Sequence, residues 1–269
     1  MASPRISVFA SSANGNPNTT RTIEGPKTLQ ARTSHEISID SVHDEIAVSN
    51  PFAQAILFFR GGANGDEAPI RIIQGPKTLL SYPTDNLLVD GVHREVFVAQ
   101  SLTNSVFVFR SDVGGDVAPI RILRGPKTKL DSPIHVGVDP VNNLIAVTTK
   151  TGLWIFNRTD DGDVAPRWII AGPNTGLGIN KHTRTVLLSP EGKKIIAGGA
   201  FTVGGKNRTF IGVWKYGDNG DIAPWAALNS TPVTKMRNAG HIGLNPLDKE
   251  LLAAGDGKLL VYHMPELFQ

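Results

Sequence analysis

The feature that most constrains this fold is a five-residue pattern that recurs about every fifty residues. Gly-Asp-x-Ala-Pro begins at Gly65, Gly115, Gly162 and Gly220, with spacings of 50, 47 and 58 residues. A second pattern, Gly-Pro-Lys-Thr, begins at Gly25, Gly75 and Gly125. A period of this length indicates a repeat architecture in which each repeat is one supersecondary unit.

Each repeat contains four segments with the alternation that is typical of β-strands. In the first complete repeat these are residues 36–40, 45–49, 55–59 and 70–73. Turn-forming residues separate the segments, and the Gly-Asp-x-Ala-Pro loops are predicted to be hairpin turns between the third and fourth strands. Four-stranded units repeated radially predict an all-β fold, a five-bladed β-propeller with four strands in each blade.

The repeat boundaries predict one propeller domain over residues 1–269. The predicted blades cover about 34–75, 84–125, 133–172, 182–230 and 240–263, and strands within 5–25 are predicted to complete the last blade. Both chain ends therefore share one blade in this prediction. Each chain end also has a segment that resembles a third strand. The sequence does not decide which of the two segments is outermost in the shared blade.

The run Asp40 to Asn50, x-D-x-x-x-x-E-[IV]-x-V-x-N, together with Ile-Gln-Gly-Pro-Lys-Thr, resembles the NHL-repeat branch of β-propellers. The resemblance extends over nearly the whole chain, although these propellers usually have six blades. It implies a propeller fold and several alternative activities, because the branch includes interaction scaffolds, peptidylglycine-amidating lyases, strictosidine-synthase-like proteins and lactonases. The fold alone does not choose among them.

Composition narrows the function classes. The chain has no cysteine, which excludes disulfides, thiolate metal sites and cysteine nucleophiles. The net charge of +3 is small and its basic residues are dispersed, so we expect no nucleic-acid partner. No apolar run approaches the roughly 20 residues that span a bilayer, so we expect no membrane partner. The protein is also expected to be a monomer. The protein is expected to be cytoplasmic, or a mature secreted or periplasmic domain whose signal peptide has been removed.

A candidate site emerges when the five repeats are aligned on their first turns. The residue that opens the innermost strand is then, in order, Glu36, Asn86, His135, Thr185 and His241. Innermost strands of a propeller converge on its central channel. Two imidazoles and a carboxylate from rigid strands are suitable metal ligands, so Glu36, His135 and His241, with Asn86 assisting, are predicted to bind Zn²⁺, Fe²⁺ or Ca²⁺.

Neighbouring polar residues are predicted to bind a substrate at the same channel mouth: His35, Asp85, Thr185, His182 and Arg184. The alternative is that all of these side chains fill a narrow polar channel through hydrogen bonds and trapped water. His43 and His93, in matched turns at the other end, are expected to be solvated. Arg21, Arg71 and Arg121 repeat in the outermost strand, and their recurrence is expected to reflect exposure of that strand and pairing between neighbouring blades.

Two functions remain open. The first is small-molecule binding, in its catalytic form a metal-dependent lyase, hydrolase or isomerase, with lyase or hydrolase favoured. The second is a non-catalytic scaffold that binds a protein or glycan through its loop face. An insertion at residues 201–209 lengthens only the fourth connection between second and third strands, and additions to one face of a repeat protein often carry binding.

Overall fold

The computed structural model describes residues 4–32, 34, 36–82, 86–177, 181–203, 206–229, 231, 241–255 and 257–269. The protein is an all-β five-bladed propeller with four-stranded blades, which confirms the predicted fold class. The described helical residues all lie in 3-10 turns, at Pro26–Thr28, Pro76–Thr78, Pro126–Thr128, Pro173–Thr175 and Pro265–Phe268. Within the described part of the chain, no helix is long and apolar enough to cross a membrane.

The strands are numbered along the chain. The first two, β1 (Arg5–Val8) and β2 (Arg21–Glu24), pair with each other. Blade one contains β3 (Ile37–Asp40), β4 (Glu45–Asn50), β5 (Ala55–Arg60) and β6 (Arg71–Gln74). Blade two contains β7 (Asn86–Asp90), β8 (Glu95–Gln100), β9 (Ser105–Arg110) and β10 (Arg121–Arg124).

Blade three contains β11 (Val136–Asp139), β12 (Leu144–Thr148), β13 (Gly152–Asn157) and β14 (Trp168–Ala171). Blade four contains β15 (Lys181–Ser189), β16 (Lys194–Val203), β17 (Lys206–Lys215) and β18 (Ala226–Asn229). The last sheet contains β19 (His241–Asn245), β20 (Glu250–Gly255) and β21 (Lys258–His263). Hydrogen-bonded neighbours follow chain order within every sheet.

The chain divides into two compact units, residues 1–98 with 108–120 and residues 99–107 with 121–269. In the first unit, Ile6 of β1 and Ile23 of β2 pack against Val48 and Phe59 of blade one. β1 and β2 pair in the same register as the third and fourth strands of blade one. Val8 of β1 lies opposite Arg21 of β2, and Phe58 of β5 lies opposite Arg71 of β6. That these two strands complete the last blade stays a prediction.

In the second unit, an apolar core joins blades three and four. Leu144 and Ile155 of blade three contact Val186 and Trp214 of blade four, and all four side chains are at least 98% buried. The middle strands of a blade are covered on both faces, and for this reason β12 consists of five consecutively buried residues rather than an alternating pattern.

The Gly-Asp-x-Ala-Pro loop reaches the preceding strand pair or blade as well as joining two strands of its own. In the first unit, Gly65 forms a parallel bridge with Ile23 of β2, and Asp66 Oδ1 accepts the Lys27 N–H at 2.7 Å. Gly25 has φ of 132°, and a Cβ there would lie 2.4 Å from Asp66 Oδ1. The contact recurs at the same distance in the three later pairs, Asp116 with Lys77, Asp163 with Lys127 and Asp221 with Asn174. We call this contact the inter-blade clasp.

Two of the repeated arginines form hydrogen bonds to the blade that follows them in the chain. Arg21 donates to the carbonyl oxygens of Gly61 and Ala63, in blade one's connecting loop, and Arg71 donates to the carbonyl of Ser111 at 3.1 Å. Arg71 also forms an ion pair with Glu45 of its own blade. For these two arginines, the expected inter-blade pairing is observed.

Candidate functional site

In the second unit, β15 contacts both β11 and β19, so the innermost strands of blade three, blade four and the last sheet are neighbours. The predicted site residues of this unit lie at matched positions. His135 immediately precedes β11, Thr185 lies within β15, and His241 opens β19. The strands therefore place three of the predicted residues at the same end of adjacent strands.

The backbone of His135 is fixed by Thr148 at the end of β12. Its N–H donates to Thr148 Oγ1 at 2.9 Å, and its carbonyl accepts the Thr148 N–H at 2.9 Å. In the first unit Ser49 holds Glu36 in the same way, with 3.0 and 3.1 Å for the two bonds. These hydroxyls were missed by sequence reasoning, although a Ser or Thr that ends a second strand was a readable signal.

The His135 imidazole lies against the neighbouring innermost strand and is only 2% exposed. Its Nδ1 accepts the backbone N–H of Val186 at 3.4 Å. A neutral imidazole with Nδ1 as acceptor carries its proton on Nε2. A ring that binds a metal through Nε2 instead donates from Nδ1, so this orientation favours a hydrogen-bond donor over a metal ligand.

The remaining predicted residues differ in exposure. Thr185 and Asn86 are buried, Glu36 is half-buried and His241 is exposed. Glu36 and Asn86 belong to the first unit, whereas His135, Thr185 and His241 belong to the second. Whether all five contribute to one site stays a prediction from the aligned repeats.

Four predicted substrate-binding residues are not described in full. His35 and Asp85 lie outside the described residues. His182 and Arg184 lie on β15, where only their backbone is described: His182 pairs with Ala200, and Arg184 is the extra residue of a bulge between Thr183 and Thr185. A bulge re-aims the side chains around it, and bulges are common beside binding sites.

The predicted metal ligands are not brought together as a group. Among the described residues, no three His, Asp or Glu side chains are grouped in a way that could hold an ion. The predicted ligand set of Glu36, His135 and His241 therefore gains no geometric support and stays a prediction.

The insertion at residues 201–209 extends the sheet of blade four. β16 and β17 are ten residues each, compared with six for β4 and β5, and their pairing continues to Val203 with Lys206. β15 is also lengthened, since Lys181 pairs with Phe201. Blade four thus carries a three-stranded extension beside Thr185.

At the other end of the innermost strands, the matched histidines have a structural role. His43 Nδ1 lies 2.9 Å from Asp40 Oδ2, and His93 Nδ1 lies 2.8 Å from Asp90 Oδ2. Asp40 also accepts the backbone N–H groups of Val42 and His43. Both histidines lie in turns as expected, with His93 exposed and His43 half-buried, and each ring also closes its own turn through a carboxylate.

Comparisons with known proteins show the fold alone. No family model matches the chain, and no curated protein sequence matches it. A structure of Kuenenia stuttgartiensis hydrazine synthase is similar over 83% of this chain and 56% of that chain, with 12% identity and a TM-score of 0.58. A "putative 6-phosphogluconolactonase" from Bacteroides uniformis is similar over 91% and 69%, with 17% identity and a TM-score of 0.56.

The β-propeller domain of Cps50 (Swd1) from Myceliophteria thermophila is similar over 84% of this chain and 64% of that chain, with 13% identity and a TM-score of 0.53. This chain therefore spans just over half the length of the hydrazine synthase chain and about two thirds of the other two. All three similarities support the propeller fold, and at these identities none of them assigns an activity.

Proposed function

We propose that the protein is a small-molecule-binding propeller of the NHL-repeat kind, with its binding site where the innermost strands begin, at the mouth of the central channel. The observation that carries the proposal is the pair His135 and Thr185. Both are polar and 2% exposed, and they lie immediately before β11 and within the adjacent β15, in one compact unit. Ligand sites combine an enclosed position with a few placed polar groups, and this pair supplies both.

The chemistry of the pair supports a polar ligand that offers oxygen acceptors. The imidazole of His135 is oriented by Val186 and Thr148 fixes its backbone, so its direction is set before any ligand arrives. Such preorganisation lowers the entropic cost of binding. Hydroxy acids, sugars and lactones are the ligand classes that match a ring N–H and a hydroxyl.

The first experiment is a thermal-shift screen of hydroxy acids, sugar phosphates and lactones against the wild type and His135→Asn. The amide oxygen of asparagine can take the place of Nδ1 as the acceptor for the Val186 N–H, while the Nε2–H donor is lost, so the ligand-free melting temperature is expected to change little. A ligand that raises the wild-type melting temperature should act at least tenfold more weakly on His135→Asn. His43→Asn, at the other end of the strands, is the control. Equal responses of all three proteins would refute the site.

A catalytic form of the proposal is a metal-dependent lyase or hydrolase. It is supported by the aligned positions of Glu36, His135 and His241, with Asn86 beside them, and would use Zn²⁺, Fe²⁺ or Ca²⁺ to polarise a carbonyl or activate water. Elemental analysis of protein purified without a histidine tag tests this form. Stoichiometric metal that falls in both His135→Asn and His241→Ala supports it, and equal metal content in the three proteins refutes it.

A second candidate function is a non-catalytic scaffold that binds a protein or glycan. The extension of blade four favours it, because a long hairpin on one blade gives a partner a surface that the other described blades lack. Shortening this hairpin to the length of β4 and β5 separates the two candidates. The small-molecule site is favoured if His135→Asn loses the ligand-induced thermal shift and the protein with the shortened hairpin keeps it.

A further inference from the structure

The segment after β21 departs from the pattern of the earlier repeats. After β5 and β13 the chain forms a clasp loop, whereas Met264–Gln269 turns onto blade four. Leu267 is completely buried and Phe268 is 6% exposed. Both belong to an apolar cluster with Ile196 and Ile211 of blade four. We call residues 264–269 the strap.

Blade four also binds the strap through its backbone. Ser189 Oγ donates to the Leu267 carbonyl at 2.6 Å, and Lys194 Nζ donates to the Gln269 carbonyl at 3.1 Å. Ser189 and Lys194 are themselves 2% and 9% exposed, so both donors are enclosed. On the last sheet, the Lys249 carbonyl accepts the Met264 N–H at 2.8 Å. The strap is therefore bonded at both of its ends.

Gly192 shows that the turn between β15 and β16 is shaped for the strap. A Cβ on Gly192 would lie 2.2 Å from the Leu267 oxygen and 3.2 Å from the Gln269 nitrogen. Its three nearest atoms would all belong to the strap backbone. Gly192 does not have a positive φ, so its own backbone conformation accepts alanine. Glycine is required at this position only while the strap is docked.

We propose that Ser189, Gly192 and Lys194, with the apolar side chains beneath them, form a groove that binds a short 3-10 turn with two consecutive large apolar residues. Residues 264–269 fill it as an intramolecular ligand. The docked strap fastens the last sheet, whose described hydrogen-bonded ladder is β19, β20 and β21, to blade four. The groove is separate from the proposed binding site, since it begins at Ser189, the last residue of β15, whereas Thr185 lies at the middle of that strand.

The test uses the full chain and the substitution Gly192→Ala, with Gly243→Ala as the matched control. Gly243 lies in β19, and a Cβ there would meet nothing closer than 3.9 Å. Chymotrypsin cleaves after leucine and phenylalanine, so cleavage at Leu267 and Phe268 reports strap release. We expect wild type and Gly243→Ala to resist cleavage there, and Gly192→Ala to be cut at least tenfold faster.

Ser189→Ala is a milder second variant. Loss of one hydrogen bond should raise the cleavage rate about three- to tenfold, which corresponds to the net contribution of such a bond. Hydrogen exchange should rise in the strap and in β19 to β21 and stay unchanged in β3 to β6. Unchanged cleavage and exchange in Gly192→Ala would overturn the proposal. An equal rise of exchange in blade one would also overturn it, because the strap would then not act locally.

Discussion

The inter-blade clasp predicts the effect of removing one carboxylate. In the first unit, Asp116 Oδ1 accepts the Lys77 N–H at 2.7 Å, and the neighbouring Gly115 forms a parallel bridge with Ile73. A hydrogen bond to a charged acceptor contributes about 1.5–3 kcal/mol, and the exposure of Asp116 places this one at the lower end. We expect Asp116→Ala to lower the free energy of unfolding by about 1–2 kcal/mol.

Urea unfolding followed by circular dichroism measures this loss. Asp112→Ala is the matched control, since Asp112 lies four residues earlier and forms an exposed ion pair with Arg110. Exposed ion pairs contribute little, so the control should lose clearly less stability than Asp116→Ala. Equal losses in the two variants would show that the clasp carries no special stability.

Gly75 provides a second measurement of the same contact. Its φ is 135°, and a Cβ would lie 2.5 Å from Asp116 Cγ. Gly75→Ala therefore suffers both backbone strain and a collision with Asp116. In the Asp116→Ala background the close contacts with Cγ and Oδ1 are removed, while the contact with Cβ at 2.7 Å and the backbone strain remain, so Gly75→Ala should destabilise that background less than it destabilises the wild type. If Gly75→Ala lowers the free energy of unfolding equally in both backgrounds, its whole effect comes from the backbone conformation, and the close contact between residues 75 and 116 is refuted.

Two further predictions concern the ends of the repeats. Deleting residues 1–24 removes Ile6 and Ile23 from the apolar face of blade one, so we expect the truncated protein to self-associate. Size-exclusion chromatography with light scattering measures this, and a monomer with an unchanged melting temperature would contradict the prediction. Leu79→Asn should stabilise the protein by about 0.5–1 kcal/mol, because Leu79 is 54% exposed with φ of 58°, where asparagine is better tolerated. Thermal unfolding that shows a loss instead would mean that Leu79 makes a contact of its own.

Much of the fold was predictable because its signals are local. Alternating segments and turn residues predicted the strands of blade one within two residues of their observed bounds, from 36–40 against Ile37–Asp40 to 70–73 against Arg71–Gln74. The repeated arginines were assigned to inter-blade pairing, which Arg21 and Arg71 confirm. These features follow from short-range geometry and from repetition.

The missed features depend on partners far along the chain. Asp66 looked like a hairpin residue, yet its carboxylate bonds to Lys27, 39 residues away. Leu267 gave no signal, because its burial depends on a groove that begins 78 residues earlier at Ser189. His43 and His93 were correctly assigned to turns, but their carboxylate partners three residues earlier were missed.

The repeats also indicate where function is encoded. The clasp aspartate is identical in all four copies, and in each copy its carboxylate accepts the same backbone N–H bond from the preceding strand pair or blade. The residue that opens the innermost strand instead changes in nearly every copy, from Glu36 and Asn86 to His135 and Thr185. The variation at this position is consistent with our proposal that its side chains recognise a ligand. A sequence can locate such a position by its variation among repeats, but its chemistry depends on orientations such as that of His135 against Val186, which only the folded chain defines.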